Sequence, residues 1–235
     1  MKTLKKIIRE FLSKSLLFLG ELFLLASYKK TIYRYHAYQP LPELKMSPRK
    51  RGDSTISRWE AIEKCLTTDI KSAKDVGANL GYFLFRLQEK GIFALGVESE
   101  QKPVEISQLA QRKFQLEGLA FSKLVVAPKN IKSLPTTDIT ISTAVWHHWI
   151  RDYGYEEALK MLGSLWNSTQ KIMFFESGED SEIYSLDIKK PPGDWVREQL
   201  EKICNDSKII ELGKFKGADN KKNNLKRSLF AVYRN

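Results

Sequence analysis

Cysteine is scarce in this sequence, and its scarcity excludes several kinds of site. The 235 residues include only Cys65 and Cys204, which lie far apart and outside any C-x-x-C motif or histidine-rich stretch. A disulfide framework or a zinc site built on paired cysteines is therefore excluded, and we expect no metal cofactor. So few cysteines fit a reducing compartment, which predicts a cytoplasmic location.

Two nucleotide-binding motifs are missing as well. A Walker-type P-loop needs the pattern G-x-x-x-x-G-K-[ST], which occurs nowhere in the chain. A dinucleotide fingerprint starting at Gly77 would need glycine at positions 79 and 82, where the sequence has Asn79 and Tyr82. The sequence therefore argues against a P-loop NTPase and against a standard dinucleotide-binding protein.

Acidic residues are scarce only near the amino terminus. Residues 1–51 hold 12 Lys and Arg against 3 Asp and Glu, whereas the remainder holds 27 basic and 25 acidic residues. A nearly neutral body lacks the broad basic face that binding to a phosphate backbone requires, so nucleic acid is a weak candidate partner. The length suits one globular domain with an appendage, which we place at residues 54–235 and 1–53.

Residues 1–27 combine positive charge with a dense apolar series, and the pattern predicts an amphipathic helix. Lys14 and Glu21 interrupt the apolar run, which is shorter than the roughly 20 residues that a spanning helix needs. A helix on an anionic membrane surface is favoured, which would make the protein peripheral on the inner membrane face. Two other interpretations of this segment remain. It could be a helix packed on the domain or on a partner, or it could be a signal peptide or a true membrane span. Prolines in residues 28–53 predict an extended connector.

Short apolar runs alternate with longer amphipathic ones through the rest of the chain. Because helices separate most of the strands, the sheet should be mainly parallel, and the polar loop before the last strand predicts a terminal hairpin. Strands are predicted near 73–77, 92–97, 122–127, 138–144, 171–176, 207–213 and 227–233, and helices near 54–66, 81–90, 101–117, 155–167 and 194–205.

The segment D-V-G-A-N-L-G at 75–81 is the most specific motif, because it follows a predicted strand and opens a predicted helix. Gly77 permits a tight turn, and Gly81 permits close approach of the backbone to a ligand. Open α/β sheets bind ligands at the carboxyl ends of their strands, so a ligand is expected here. The next strand ends at Glu98, whose carboxylate could accept hydrogen bonds from two adjacent ribose hydroxyls.

Together these features resemble the class I S-adenosylmethionine-dependent methyltransferase family, whose first motif runs acid-x-Gly-x-(Gly/Asn)-x-Gly and whose second strand ends in an acid. The resemblance covers roughly residues 55–235. It implies a doubly wound, mostly parallel, seven-stranded α/β sheet with an antiparallel last strand, preceded here by an N-terminal helical extension. It also implies S-adenosylmethionine as cofactor and S-adenosylhomocysteine as product. The implied cofactor-binding residues are Asp75, Gly77, Ala78, Asn79, Gly81, Glu98 and Thr143.

The sequence departs from the family at the adenine site. Many members carry an acidic residue after the third strand that binds the adenine amino group, whereas this sequence reads V-V-A-P-K-N-I. We therefore expect backbone groups near Ala127 and Asn130 to recognise adenine.

The family places acceptor-side residues after the fourth strand, where this chain reads T-A-V-W-H-H-W. Histidine suits proton removal from a hydroxyl acceptor, so His147 or His148 is the candidate general base, with a structural role for either as the alternative. Trp146 and Trp149 should form apolar walls. Glu176 follows the fifth strand and begins a candidate substrate roof that continues to Glu179 and Asp180, with solvated loop acids as the alternative.

The predicted function is O-methylation of a saccharide, a lipid-linked glycan or a small metabolite at or near the membrane. Two alternatives remain. The aromatic and basic stretch between Tyr28 and Arg51 would suit methylation of tRNA or another RNA. A domain that binds S-adenosylmethionine without turnover would be a non-catalytic adapter.

Overall fold

The protein is described by a computed structural model over residues 39–41, 52–178, 191–217 and 226–235. The helix predicted in residues 1–27, most of the connector, and the roof residues Glu179 and Asp180 lie outside the described residues, so their roles stay predictions. Within the described ranges, no helix has both the length and the apolar character needed to cross a membrane.

A seven-stranded sheet in the order β3-β2-β1-β4-β5-β7-β6 forms the centre of the domain. All neighbouring strands pair in parallel except β7, which runs antiparallel to both β5 and β6. The predicted fold class and terminal hairpin are therefore confirmed. The strands are β1 (Ser72–Val76), β2 (Phe93–Glu98), β3 (Leu119–Lys123), β4 (Thr137–Thr143), β5 (Thr169–Glu176), β6 (Ser207–Lys216) and β7 (Lys226–Arg234).

Six described helices connect or flank these strands. The apolar core between the sheet and the last three helices includes Phe175, Phe230 and the buried thiol Cys204. Burial raises the pKa of Cys204 to about 12, which fits a packing role rather than a reactive one. The helices are α1 (Gly52–Glu63), α2 (Tyr82–Gln88), α3 (Gln101–Lys113), α4 (Trp146–Tyr153), α5 (Tyr155–Asn167) and α6 (Pro192–Ile203).

The prediction of local structure misplaced one strand and missed one helix. The third strand was expected at 122–127 but occupies Leu119–Lys123, because it pairs with β2 from Ala94↔Leu119 to Glu98↔Lys123 and ends where β2 ends. The apolar residues after Lys123 extend past this pairing. The helix α4 was not predicted at all, because its eight residues are too few to show a helical period clearly.

Candidate functional site

A cavity of about 570 Å³ lies where the carboxyl ends of four strands meet. The strand order reverses between β1 and β4, which is the position at which open α/β sheets bind ligands. The volume of the cavity falls within the range of about 300–1,000 Å³ typical of small-molecule sites. Eight of the predicted site residues line it: Gly77, Asn79, Glu98, Thr143, His147, His148, Trp149 and Glu176.

The turn after β1 requires glycine for steric reasons. Gly77 has φ of +79°, and a Cβ there would lie 2.4 Å from Val145 Cγ2. Gly81 has φ of +75°, and a Cβ there would lie 2.4 Å from a ring carbon of Phe121. Gly81 is therefore explained by close packing in the domain, and neither it nor the buried Ala78 lines the cavity. Their contact with a cofactor stays a prediction.

Hydrogen bonds from the protein fix the Glu98 carboxylate at the cavity wall. Asn79, with φ of +51°, donates its backbone N–H to Glu98 Oε2 at 2.9 Å. Ser99 Oγ and the Glu100 N–H donate to Oε1 at 2.9 and 3.0 Å. A carboxylate has about four acceptor positions, and these bonds use three of them. Glu98 is therefore oriented by the protein and keeps about one position for a hydrogen bond from a ligand.

Asp75 is the second-to-last residue of β1, just before the glycine turn, and it is 1% exposed. Neither of its carboxylate oxygens has a hydrogen-bond partner in the described part of the chain. Burial, and then the negative charge of Glu98, raise the pKa of Asp75 to about 8. The carboxyl is therefore held largely neutral at pH 7, and a cation beside it would favour its ionised form.

The loop after β3 carries the predicted adenine site. The Asn130 side chain accepts a hydrogen bond from the Ala127 N–H at 2.8 Å and donates one to the Val125 carbonyl at 2.9 Å. The Ala127 N–H is therefore already paired within the protein, which argues against it as the group that reads adenine. Val125 and Val126 line the cavity and give it an apolar wall, and Val125 is 56% exposed.

Both histidines line the cavity, with their ring centroids 4.1 Å apart. His147 is buried, and its Nδ1 accepts a hydrogen bond from the Gly178 N–H at 3.1 Å. His148 is exposed. Both histidines therefore line the cavity from the first turn of α4, and the choice between them as general base stays a prediction.

Trp146 corrects the prediction of two tryptophan walls. It is fully buried, donates its Nε1–H to the Ala158 carbonyl at 2.9 Å, and stacks on Trp195. It does not line the cavity, whereas Trp149 does. Both tryptophans belong to the apolar core, and only Trp149 also reaches the cavity.

Sequence reasoning missed an arginine pair at the far end of the cavity. Arg58 forms a bidentate ion pair with Glu176, with Nε–Oε2 at 2.7 Å and Nη2–Oε1 at 2.9 Å. Arg227 Nη1 lies 3.9 Å from Glu176 Oε1. All three side chains are at most 6% exposed and line the cavity. Glu176 is therefore the centre of a buried ion cluster rather than a solvated loop acid.

Gln39 is a second residue that the sequence analysis did not identify. It belongs to the predicted connector, yet it is buried against the domain and lines the cavity. Its Oε1 accepts a hydrogen bond from the Tyr82 N–H at 3.0 Å, which is the first N–H of α2. The first donor of this helix is thus satisfied by the protein itself. An isolated glutamine just before a proline gives no sequence signal for this contact.

Comparison with known proteins identifies the fold. No protein-family model and no curated protein matches the chain. A structure of the bifunctional kinase-methyltransferase WbdD matches with a TM-score of 0.64 and 18% identity over 84% of this chain and 43% of that one. Magnesium protoporphyrin IX methyltransferase (ChlM) from Synechocystis PCC 6803 with bound SAH matches with a TM-score of 0.56 and 16% identity over 78% of this chain and 83% of that one.

The chain therefore spans less than half the length of WbdD, and it covers most of the length of ChlM. In the ranges that the structure describes, no group of three or more His, Cys, Asp or Glu residues is placed to hold a metal ion. The strand order, the antiparallel β7 and these matches together confirm the predicted fold, which is that of the class I S-adenosylmethionine-dependent methyltransferases.

Proposed function

We propose that this protein transfers a methyl group from S-adenosylmethionine to an oxygen atom of a small-molecule or glycan acceptor. The observation that carries the proposal is the Glu98 carboxylate, held by the Asn79 N–H at the carboxyl end of β2 and facing the same cavity as the Gly77 turn. ChlM shares this fold and has been crystallised with SAM and with SAH.

The residues present fit this cofactor. Glu98 keeps an acceptor position for a ribose hydroxyl, and Val125 with Val126 offers an apolar surface for the adenine ring. Asp75 is a buried carboxyl without a hydrogen-bond partner in the described ranges, and it lies beside the turn expected to hold the methionine portion. That portion carries an ammonium group and a sulfonium group, and positive charge favours an ionised carboxylate.

The cofactor supplies an electrophilic methyl group, and the protein's own contribution is positioning. An in-line displacement is accelerated when the two reactants are held at short distance in the right orientation. His147 and Trp149 in α4 line the cavity where we place the acceptor. The basic helix predicted in residues 1–27 would hold this site near an acceptor confined to an anionic membrane surface.

Calorimetry with S-adenosylhomocysteine tests the proposal. We expect wild-type protein to bind this product, and Glu98→Gln to weaken the affinity by about 10- to 100-fold, because hydrogen bonds to a charged group contribute about 1.5–3 kcal/mol. Glu117→Gln is the matched control, since Glu117 is exposed and lies outside the cavity. Absence of binding heat with both S-adenosylmethionine and S-adenosylhomocysteine would contradict the proposed function.

Asn130 is expected to support adenine binding without touching the cofactor. Its side chain ties the Val125 carbonyl to the Ala127 N–H, so Asn130→Ala should loosen the loop that carries the adenine wall. We expect the affinity for S-adenosylhomocysteine to fall by about tenfold, which corresponds to about 1.4 kcal/mol. Asn205→Ala, at an exposed position outside the cavity, is the control. Equal affinities of the two variants would show that the loop does not depend on Asn130.

A further inference from the structure

The backbone donors of the turn after β1 are already used within the protein. Each N–H group from residue 77 to residue 82 donates to an acceptor of the chain at 2.8–3.1 Å. The acceptors are the carbonyl oxygens of Val97 and Ala78 and the side chains of Glu98, Asn79 and Gln39. A buried anion needs hydrogen-bond donors, so for an anionic group of a ligand at this turn a side chain must supply them.

Gln39 offers such a donor beside the turn. Its Oε1 accepts the hydrogen bond of the Tyr82 N–H at 3.0 Å, and this contact fixes which end of the carboxamide faces α2. The other end is Nε2, which carries two N–H donors and has no hydrogen-bond partner in the described part of the chain. Gln39 is only 9% exposed, and it lines the cavity. A ligand in the cavity can therefore accept what the protein leaves unpaired.

The segment that carries Gln39 is fixed to the domain. Residues 39–41 belong to the same compact unit as the sheet, and all three are buried. Leu41 is fully buried among apolar residues, and Gln39 is bonded to the first N–H of α2. The amide is thus held in place before a ligand arrives, which reduces the conformational entropy lost on binding.

We propose that Nε2–H of Gln39 binds the carboxylate of the cofactor's methionine portion. This inference rests on the proposed function and names a specificity-determining residue for it. The turn at residues 77–81 is expected to hold the methionine portion, and Gln39 is bonded to the residue that follows this turn. A hydrogen bond from an amide to a carboxylate is stronger than one between two neutral groups, because the acceptor is charged. Gln39 thus favours ligands that carry this carboxylate over ligands that lack it.

Two ligands that differ only in this carboxylate test the inference by calorimetry. S-adenosylhomocysteine carries the group, and in its decarboxylated analogue a hydrogen atom replaces it. We expect the wild-type protein to bind S-adenosylhomocysteine more tightly than the analogue by about tenfold or more. Equal affinity for the two ligands would overturn the inference and leave the proposed function standing. A wild-type protein that binds neither ligand would contradict the proposed function and the inference together.

Substitution of Gln39 separates ligand binding from support of α2. Gln39→Glu keeps an oxygen for the Tyr82 N–H and replaces the two amide donors by a negatively charged oxygen. We expect this variant to bind S-adenosylhomocysteine about tenfold more weakly than the wild type, or weaker still, and to bind the decarboxylated analogue no more weakly. Gln170→Glu, at an exposed position outside the cavity, is the matched control and should retain the wild-type preference.

A purely structural role of Gln39 gives different results. If Gln39 only supports α2, Gln39→Glu should keep the wild-type affinity for both ligands, and that result would overturn the inference. Equal weakening of both ligands would overturn it as well, because it would show a distorted cavity without recognition of the carboxylate. Gln39→Met, which removes the donors without adding charge, replaces Gln39→Glu if that variant does not fold, and it too should lose the preference for S-adenosylhomocysteine.

Discussion

Replacing Asp75 by asparagine is expected to raise the free energy of unfolding of the ligand-free protein at pH 8 and to leave it nearly unchanged at pH 4. Burial, followed by the charge of Glu98, raises the pKa of Asp75 from 3.8 to about 8. Each tenfold change in proton affinity corresponds to about 1.4 kcal/mol, so the difference between wild type and variant at pH 8 is at most about 6 kcal/mol.

The sign follows from the protons bound in each state. Between pH 4 and pH 8 the folded protein keeps Asp75 protonated while the unfolded chain releases the proton. The carboxyl therefore stabilises the fold fully below pH 4, and this stabilisation is lost as the pH rises towards 8. Asparagine does not titrate, so Asp75→Asn should lack this loss. Urea unfolding of both proteins at several values of pH between 4 and 8 measures the difference.

Lys74, the preceding residue, provides a control of opposite sign. It is almost fully buried, and burial lowers its pKa from 10.5 to about 8. Its contribution to stability is fully present above pH 10.5 and is lost as the pH falls towards 8. Lys74→Met should therefore remove a rise in stability above pH 8 and preserve the decline between pH 5 and pH 8. An identical pH slope in wild type and Asp75→Asn would show that Asp75 is ionised in the folded protein.

The fold was predictable because its signals are local. The alternation of apolar runs and amphipathic segments predicted the parallel sheet, and the polar loop before β7 predicted the antiparallel hairpin. The errors at β3 and α4 have a common physical cause. After β3, the apolar residues that line the cavity imitate the pattern of a longer strand. In α4, the apolar residues stand in a segment too short to show a helical period.

The two halves of the site differ in how far the sequence predicts them. Gly77 and Glu98 lie in or next to one strand-turn-helix motif, where spacing along the chain is also spacing in the structure. The far end of the cavity is built from Arg58 in α1, Glu176 in β5 and Arg227 in β7, and the first two are 118 positions apart in the chain. No local pattern connects residues so far apart. The arginine at the start of the apolar run of β7 is the one visible sign of a buried charge.

Removal of the Glu176 carboxylate should cause the largest loss of stability in this ion cluster. Glu176→Ala leaves the Arg58 and Arg227 guanidinium groups buried without the carboxylate that lies between them. Breaking a buried ion pair in this way typically costs about 3–5 kcal/mol, because an uncompensated charge stays in a medium of low dielectric constant. Urea unfolding at neutral pH measures the change. The exposed pair of Glu157 and Lys160 gives the control, where Glu157→Ala should cost less than about 1 kcal/mol.

A second substitution separates the charge from the packing. If the loss in Glu176→Ala comes from the unpaired charge of Arg58, the double variant Arg58→Met with Glu176→Ala should be more stable than Glu176→Ala alone. If the loss comes only from the cavity that alanine leaves, removal of Arg58 should add to it. A double variant less stable than Glu176→Ala would therefore contradict the ion-cluster explanation. The first outcome would mean that the unpaired charge of Arg58, and not only the lost packing, accounts for the loss of stability in Glu176→Ala.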